Sequence, residues 1–279
     1  MSLSIAYLGP PGTNSETAAM AYVEHLKQIT GQECILCPDP TIAASLQTVA
    51  LGEAMLGVVP VENSLEGSVS VTLDSLWQLD DLQIQKALVL PISHALISWA
   101  SSLSAIHTVY SHPQALAQCQ GWLEKSLPSS QLIPTNSTTE AVMRCSEDYE
   151  TAAIASARAA ELYLAPILAH PINDRPENCT RFWVVGKQPS PGGSHTSLAF
   201  SVPANVPGAL VKPLQTFANR GINMSRIESR PTKRSLGEYL FFIDLEADAR
   251  DPRTREALAE LETYTKTMKI FGSYSIVCN

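Results

Sequence analysis

Four stretches of the chain gather side chains able to hold or act on a polar ligand. The first, Gly9-Pro10-Pro11-Gly12-Thr13-Asn14-Ser15-Glu16, lies between an apolar run and a segment of helical periodicity. Its glycines allow tight turning and close backbone approach. Thr13 or Ser15 can cap the helix, and the free amides there can hold an anion. The spacing is neither GxGxxG nor a P-loop, so it suits a carboxylate rather than a nucleotide, or else an ordinary capped turn. The second, Val59 to Val69, packs five hydrogen-bonding residues (Glu62, Asn63, Ser64, Glu66 and Ser68) into seven positions. It follows a strand-like run, where open α/β sheets place ligands, although a capped loop has the same composition. In the third, Asn178-Cys179-Thr180-Arg181-Phe182, Arg181 can pair with a carboxylate in bidentate fashion and Thr180 can bring a hydroxyl to a reacting atom. The fourth, Tyr110 to Gln118, carries Ser111 and Gln118 on one face of a strand-to-helix junction. His112 there reads as a capping residue sooner than as a base.

Other chemistries find no support. HExxH, a paired histidine cluster and GxSxG are all missing, so neither zinc nor a hydrolase nucleophile is indicated. Of six cysteines, Cys34 and Cys37 form a CxxC, but no second CxxC accompanies it. The pair sits in an apolar run ending at Pro38, and the expectation is reduced thiols in a cytoplasmic protein. No metal and no cofactor are expected.

The elements that must position these residues alternate. Strands are predicted over Ser4–Leu8, Gln32–Cys37, Met55–Val61, Leu88–Ser98, Ala105–Tyr110, Ala152–Ala155 and Phe182–Val185. Helices are predicted over 16–28, 42–51, 114–127, 138–145 and 156–164. Such alternation is α/β architecture with largely parallel sheets. Lys187 to Ser194 is rich in Pro, Gly and Ser and reads as a linker. Beyond it the order β-α-β-β-α-β within 195–274 is the ferredoxin-like plan, which by itself carries no function.

Composition bounds the class. The chain has 279 residues, 45% hydrophobic and 16% charged, with a formal net charge of -8. No nucleic-acid partner is expected without basic clusters, and no apolar run reaches the length of a membrane span. The start, Met1-Ser2-Leu3-Ser4, has no basic segment, so no signal peptide is expected.

Taken together, GPPGTNSE (9–16), VPVENSLEGSV (59–69), YSHPQALAQC (110–119) and NCTRF (178–182) resemble the prephenate dehydratase family, over nearly the whole chain. The part after the linker resembles an ACT regulatory domain, through Pro207-Gly208-Ala209-Leu210 and Asn223 to Pro231. Small departures are Tyr163-Leu164-Ala165 where Tyr-Gly-Leu is usual, and Pro171-Ile172-Asn173-Asp174.

The resemblance implies a catalytic domain over 1–187 with two lobes like a type II periplasmic binding protein, about 1–80 with 170–187 and 81–169. A linker (188–194) and the ACT domain (195–279) follow. It implies decarboxylation of prephenate with loss of the ring hydroxyl. Thr180 is then the proton donor, with Asn63, Ser111 and Gln118 orienting it. Glu62 is structural or orienting, while Thr13, Ser15, Ser64, Arg181 and Phe182 contact substrate. It further implies a phenylalanine site between ACT domains of neighbouring subunits, using Gly208, Ala209, Leu210, Asn223, Met224, Ser225 and Glu228, and a homodimer or homotetramer. The alternatives are arogenate as substrate, or a non-catalytic amino-acid sensor.

Overall fold

The computed structural model describes residues 3–146 and 148–278. The chain opens with β1 (Leu3–Leu8), α1 (Asn14–Thr30), β2 (Cys34–Asp39), α2 (Ile42–Ala50), β3 (Leu56–Asn63), the short β4 (Gly67–Ser68), α3 (Ser70–Gln78) and β5 (Gln83–Pro91). Helix α1 starts where the Thr13 side chain accepts the Glu16 amide and stops at Gly31, whose φ of 68° favours glycine. The chain then builds a second sheet from β6 (Ala95–Ile97), β7 (Thr108–Ser111), β8 (Gln131–Pro134), β9 (Thr151–Ala155) and β10 (Ile167–Ala169). Helices α4 (Pro113–Gln118), α5 (Gln120–Ser126), α6 (Thr138–Arg144) and α7 (Ala157–Leu162) connect these strands. It returns as β11 (Cys179–Gly186), which runs antiparallel between β3 and β5 and joins the two halves of the first lobe. Buried on both faces, β11 reads as the continuous apolar run Phe182–Val185.

The last third forms β12 (His195–Ser201), α8 (Val211–Ala218), β13 (Met224–Pro231), β14 (Tyr239–Leu245), α9 (Pro252–Tyr264) and β15 (Thr267–Tyr274), in sheet order β13-β14-β12-β15. This is the expected βαββαβ plan. A final strand, β16 (Ile276–Cys278), leaves this domain and pairs in parallel with β5, at the edge of the first sheet.

The structure departs from the sequence expectation in several places. Both catalytic sheets are mixed and not largely parallel, because β11 returns antiparallel between β3 and β5, and β6 pairs antiparallel with β9 and β10. The crossing between lobes falls at Ile92–His94 rather than near residue 80, because β5 still belongs to the first sheet. The run Leu88–Ser98, expected as one strand, is split between two sheets at Ile92–His94, where Pro91 and the polar pair Ser93-His94 interrupt it. The expected helix 114–127 is two helices meeting at Cys119. Residues 276–278 belong to the first sheet and not to the regulatory domain as expected.

The linker is tied down along its length. The Gln188 carbonyl accepts from Gln85, and the Gly192 amide donates to the Ser273 carbonyl. Gly193 has a φ of 154°, and a Cβ there would lie 2.2 Å from the Tyr274 backbone. One face of the regulatory sheet is covered by α8 and α9, around Phe200, Phe217 and Leu261. The other shares a core with the first lobe, where Phe242, Phe271 and Tyr274 meet Leu76, Ile84 and Trp183.

Candidate active site

Between the lobes lies a cleft of about 540 Å³. Several segments of the first lobe reach it, among them the β1–α1 turn with Thr13, Asn14 and Ser15, the β2–α2 connection with Pro40 and Ile42, the end of β3 with Asn63, and β11 with Thr180 and Phe182. His94 lines it from the crossing segment, Gln118 from the end of α4, and Ser137 and Thr138 from the start of α6. No Asp, Glu, Lys or Arg lines it among the described residues. The lobes also touch at its rim. The Ser156 hydroxyl donates to the Gly12 carbonyl (2.8 Å), and Arg158 pairs with Glu16 (3.3 Å). Gly12 has a φ of 90°, and a Cβ on it would lie 3.3 Å from the Ala159 backbone, so any larger residue would push this contact apart.

The polar side chains of the cleft form one continuous network. Asn63 Oδ1 accepts the backbone amides of Leu65 (3.0 Å) and Glu66 (3.1 Å). Its Nδ2 donates to Asn178 Oδ1 (2.8 Å) and to Thr180 Oγ1 (2.9 Å). Asn178 Nδ2 donates to Gln118 Oε1 (3.0 Å), which also meets His94 Nε2 at 3.0 Å. Gln118 Nε2 reaches Glu66 at 3.4 Å. Because Thr180 Oγ1 accepts from Asn63, its own hydrogen is left to donate elsewhere. All five network residues, Asn63, His94, Gln118, Asn178 and Thr180, are buried. Burial holds His94 below its ordinary pKa, against the smaller opposing effect of its bond to Gln118, and so favours the neutral ring.

The sequence candidates divide. Thr180, Asn63, Gln118, Thr13, Ser15 and Phe182 meet at the cleft. Four others do not line it. Ser111 is fully buried and donates to the Ile154 carbonyl (2.6 Å), tying β7 to β9. Ser64 accepts the Cys179 amide (3.0 Å) and donates to Asn178 (3.3 Å), so it braces the network from behind. Arg181 leaves the opposite face of β11 from Thr180 and Phe182, as strand alternation requires. There it meets Asp244 (3.3 Å) and Glu62 (3.6 Å), so this arginine pairs with protein carboxylates and Glu62 lies on the same outer face.

Asn178 and His94 were missed. Asn178 lies two residues before Thr180, a spacing that puts side chains on one face of a strand. His94 was legible as a polar residue inside an apolar run, a pattern that signals a partnered buried group.

Asp244 is the hub on the regulatory side. Fully buried, it accepts from Arg226 (2.8 Å) and Ser197 (2.6 Å) as well as from Arg181. Burial works most strongly against the Arg226 charge, but the Asp244 charge and hydrogen bond, with Glu62 and Tyr274 adding to them, together raise the Arg226 pKa. Arg226 also donates to Ser68, beside the cleft loop, at 3.3 Å.

The residues expected to hold phenylalanine fall into two groups. Gly208, Ala209 and Leu210 border a hollow with Val206 and Phe241. Met224, Ser225 and Glu228 lie along β13, just after Asn223, and none of these four borders that hollow. Ser225 donates to the Asp244 carbonyl (3.4 Å), and Glu228 lies 3.8 Å from Arg226.

Comparison with known proteins agrees with this architecture. The family model described as prephenate dehydratase matches residues 5–190, and that of the ACT domain matches 196–263. A bifunctional chorismate mutase/prephenate dehydratase of Aquifex aeolicus is 42% identical over 98% of this chain and 73% of its own length. A prephenate dehydratase of Lactococcus lactis is 36% identical over 98% of both chains. The crystal structure of prephenate dehydratase from Arthrobacter aurescens in complex with L-Phe superposes with a TM-score of 0.85 at 35% identity, over 98% of this chain and 90% of that one. With matches across both parts and a network built on the same motifs, the chain belongs to the prephenate dehydratase family and carries a C-terminal ACT domain.

Proposed function

We propose that this chain converts prephenate to phenylpyruvate, carbon dioxide and water in the cytoplasm, and that phenylalanine regulates it. The observation that carries the reading is the Asn63–Thr180 bond in a cleft whose described lining holds no Asp, Glu, Lys or Arg. The prephenate dianion takes up one proton overall. The electrons of the ring-to-carboxylate bond become ring π electrons as the C–O bond to the hydroxyl breaks. Aromatisation supplies the driving force, and the protein must stabilise the departing oxygen.

Thr180 suits that task, because its hydrogen is not used within the network. A threonine hydroxyl is a very weak acid, so it donates in concert with C–O cleavage and does not ionise beforehand. Asn63 polarises and aims it, and Asn178 and Gln118 hold Asn63 in place. Ser15 and the free amides opening α1 hold a substrate carboxylate without a fixed positive charge, while Thr13, whose hydroxyl donates to the Leu8 carbonyl (3.1 Å), shapes the turn. With no cationic partner, the carboxylate that leaves is not over-stabilised before it departs. The lack of an acidic lining residue also favours prephenate over arogenate, whose ammonium group would find no counter-ion.

Phenylalanine binds between regulatory domains of neighbouring subunits in a homodimer or homotetramer. Gly208–Leu210 come from one subunit and Asn223–Ser225 with Glu228 from the next. Two features support this: the hollow at Gly208–Leu210 receives nothing from β13 of its own chain, and β13 is an edge strand open to pairing. As allostery this requires two states with different phenylalanine affinity. Phenylpyruvate formation from prephenate and from arogenate, with and without phenylalanine, tests the reading. Absence of carbon dioxide release from both substrates would leave a sensor as the function.

A further inference from the structure

The cleft network fixes the tautomer of His94. Backbone amides can only donate, so the amides of Leu65 and Glu66 fix which end of Asn63 is oxygen. Asn63 Nδ2 then makes Asn178 Oδ1 an acceptor, and Asn178 Nδ2 makes Gln118 Oε1 an acceptor. His94 Nε2, 3.0 Å from that oxygen, must carry the ring hydrogen. His94 Nδ1 is therefore a bare lone pair. The residue is 3% exposed and lines the cleft, and Nδ1 has no hydrogen-bond partner among the described residues. A buried acceptor left alone costs about 1–3 kcal/mol, and a donor that reaches this atom as the cleft closes on a ligand would relieve that cost.

The other side-chain acceptors of the network are already engaged. Asn63 Oδ1, Asn178 Oδ1 and Gln118 Oε1 each receive two hydrogen bonds, and Thr180 Oγ1 receives one from Asn63. Prephenate at neutral pH has two carboxylates and a ketone, all acceptors, and one donor, the ring hydroxyl. We propose that His94 Nδ1 accepts the hydrogen bond of that ring hydroxyl, turning the oxygen lone pairs towards the Thr180 hydroxyl. This assigns His94 to the group that leaves, and it rests on reading the cleft as the prephenate site.

Two substitutions separate this role from a structural one. Gln at position 94 presents its amide nitrogen where Nε2 stood, keeping the donor to Gln118 but removing the acceptor. Asn presents its amide oxygen near the Nδ1 position, keeping the acceptor but removing that donor. His94→Gln is expected to have a kcat/KM for prephenate about tenfold or more below that of His94→Asn, which keeps the acceptor. A His94→Gln enzyme as active as wild type overturns the assignment, as does an equal loss in both variants when thermal unfolding shows both folded. A further measurement leaves His94 in place. The 15N resonance of its Nδ1 is expected to move towards hydrogen-bonded values when prephenate is added to the Thr180→Ala protein. An unmoved resonance in saturated protein overturns the proposal even where a position-94 variant fails to fold. Wild-type turnover is measured in the same series. No phenylpyruvate from wild type overturns the reading of the cleft and this inference with it, whereas turnover with an undiminished His94→Gln overturns the inference alone.

Discussion

Thr180 and Asn178 sit two residues apart and serve different ends of the same network. Removing the Thr180 hydroxyl leaves the fold intact and deletes one preorganised donor. Thr180→Ala is therefore expected to lose at least about 2–3 kcal/mol of transition-state stabilisation, seen as a fall in kcat with little change in unfolding temperature. Asn178 is 1% exposed and bonds to Asn63, Ser64 and Gln118. Asn178→Ala strands those partners, so denaturant titration should find it less stable by about 1–3 kcal/mol, with activity lost as well. His94 sets a pH trend. Its folded pKa lies below the ordinary 6.5, so between the two values the unfolded chain binds a proton that the folded one does not. Its contribution to stability is complete above about 6.5 and declines as pH falls below that. His195, lowered by burial and by Arg181, acts in the same direction. Stability measured from pH 7.5 to pH 5 should fall less steeply in His94→Gln than in wild type.

Strand β11 shows how much one element can decide. The four motifs were legible because each packs polar residues at the edge of an apolar run, and most of their polar side chains do meet at one cleft. Which face each takes was not legible. Thr180 and Phe182 turn inward and Arg181 turns outward, and only the sheet order, with β11 between β3 and β5, says which side is which. Outward, Arg181 meets Asp244, a carboxylate with no exposure held by Arg226 as well. Removing one partner of a buried ion group leaves the others uncompensated. Asp244→Ala is expected to cost about 3–5 kcal/mol in urea unfolding. Asp74 gives the contrast. It is bonded by Arg230 and by Lys233, whose side chain is 62% exposed, so Lys233→Ala should cost under about 1 kcal/mol. Equal costs for the two substitutions would mean that burial does not set the strength of these links.

At the scale of the molecule, the regulatory domain is not an appendage on a tether. Its sheet completes a core with the first lobe, and β16 adds a strand to the first lobe's sheet. Deleting residues 195–279 should expose that core, and the truncated chain is expected to aggregate rather than remain as an unregulated enzyme. A soluble truncation with native circular dichroism and full activity would contradict this. The sequence alone determined the family, the α/β class, the βαββαβ tail and most of the residues at the cleft, because these are written locally in periodicity, turn chemistry and short motifs. Tertiary structure alone decided that the lobes divide at Ile92–His94, that Arg181 and Glu62 face the regulatory domain, and that His94 joins the cleft. Those outcomes depend on which strands become neighbours across the chain. Such pairings are set by the burial of whole faces, which no local stretch of residues records.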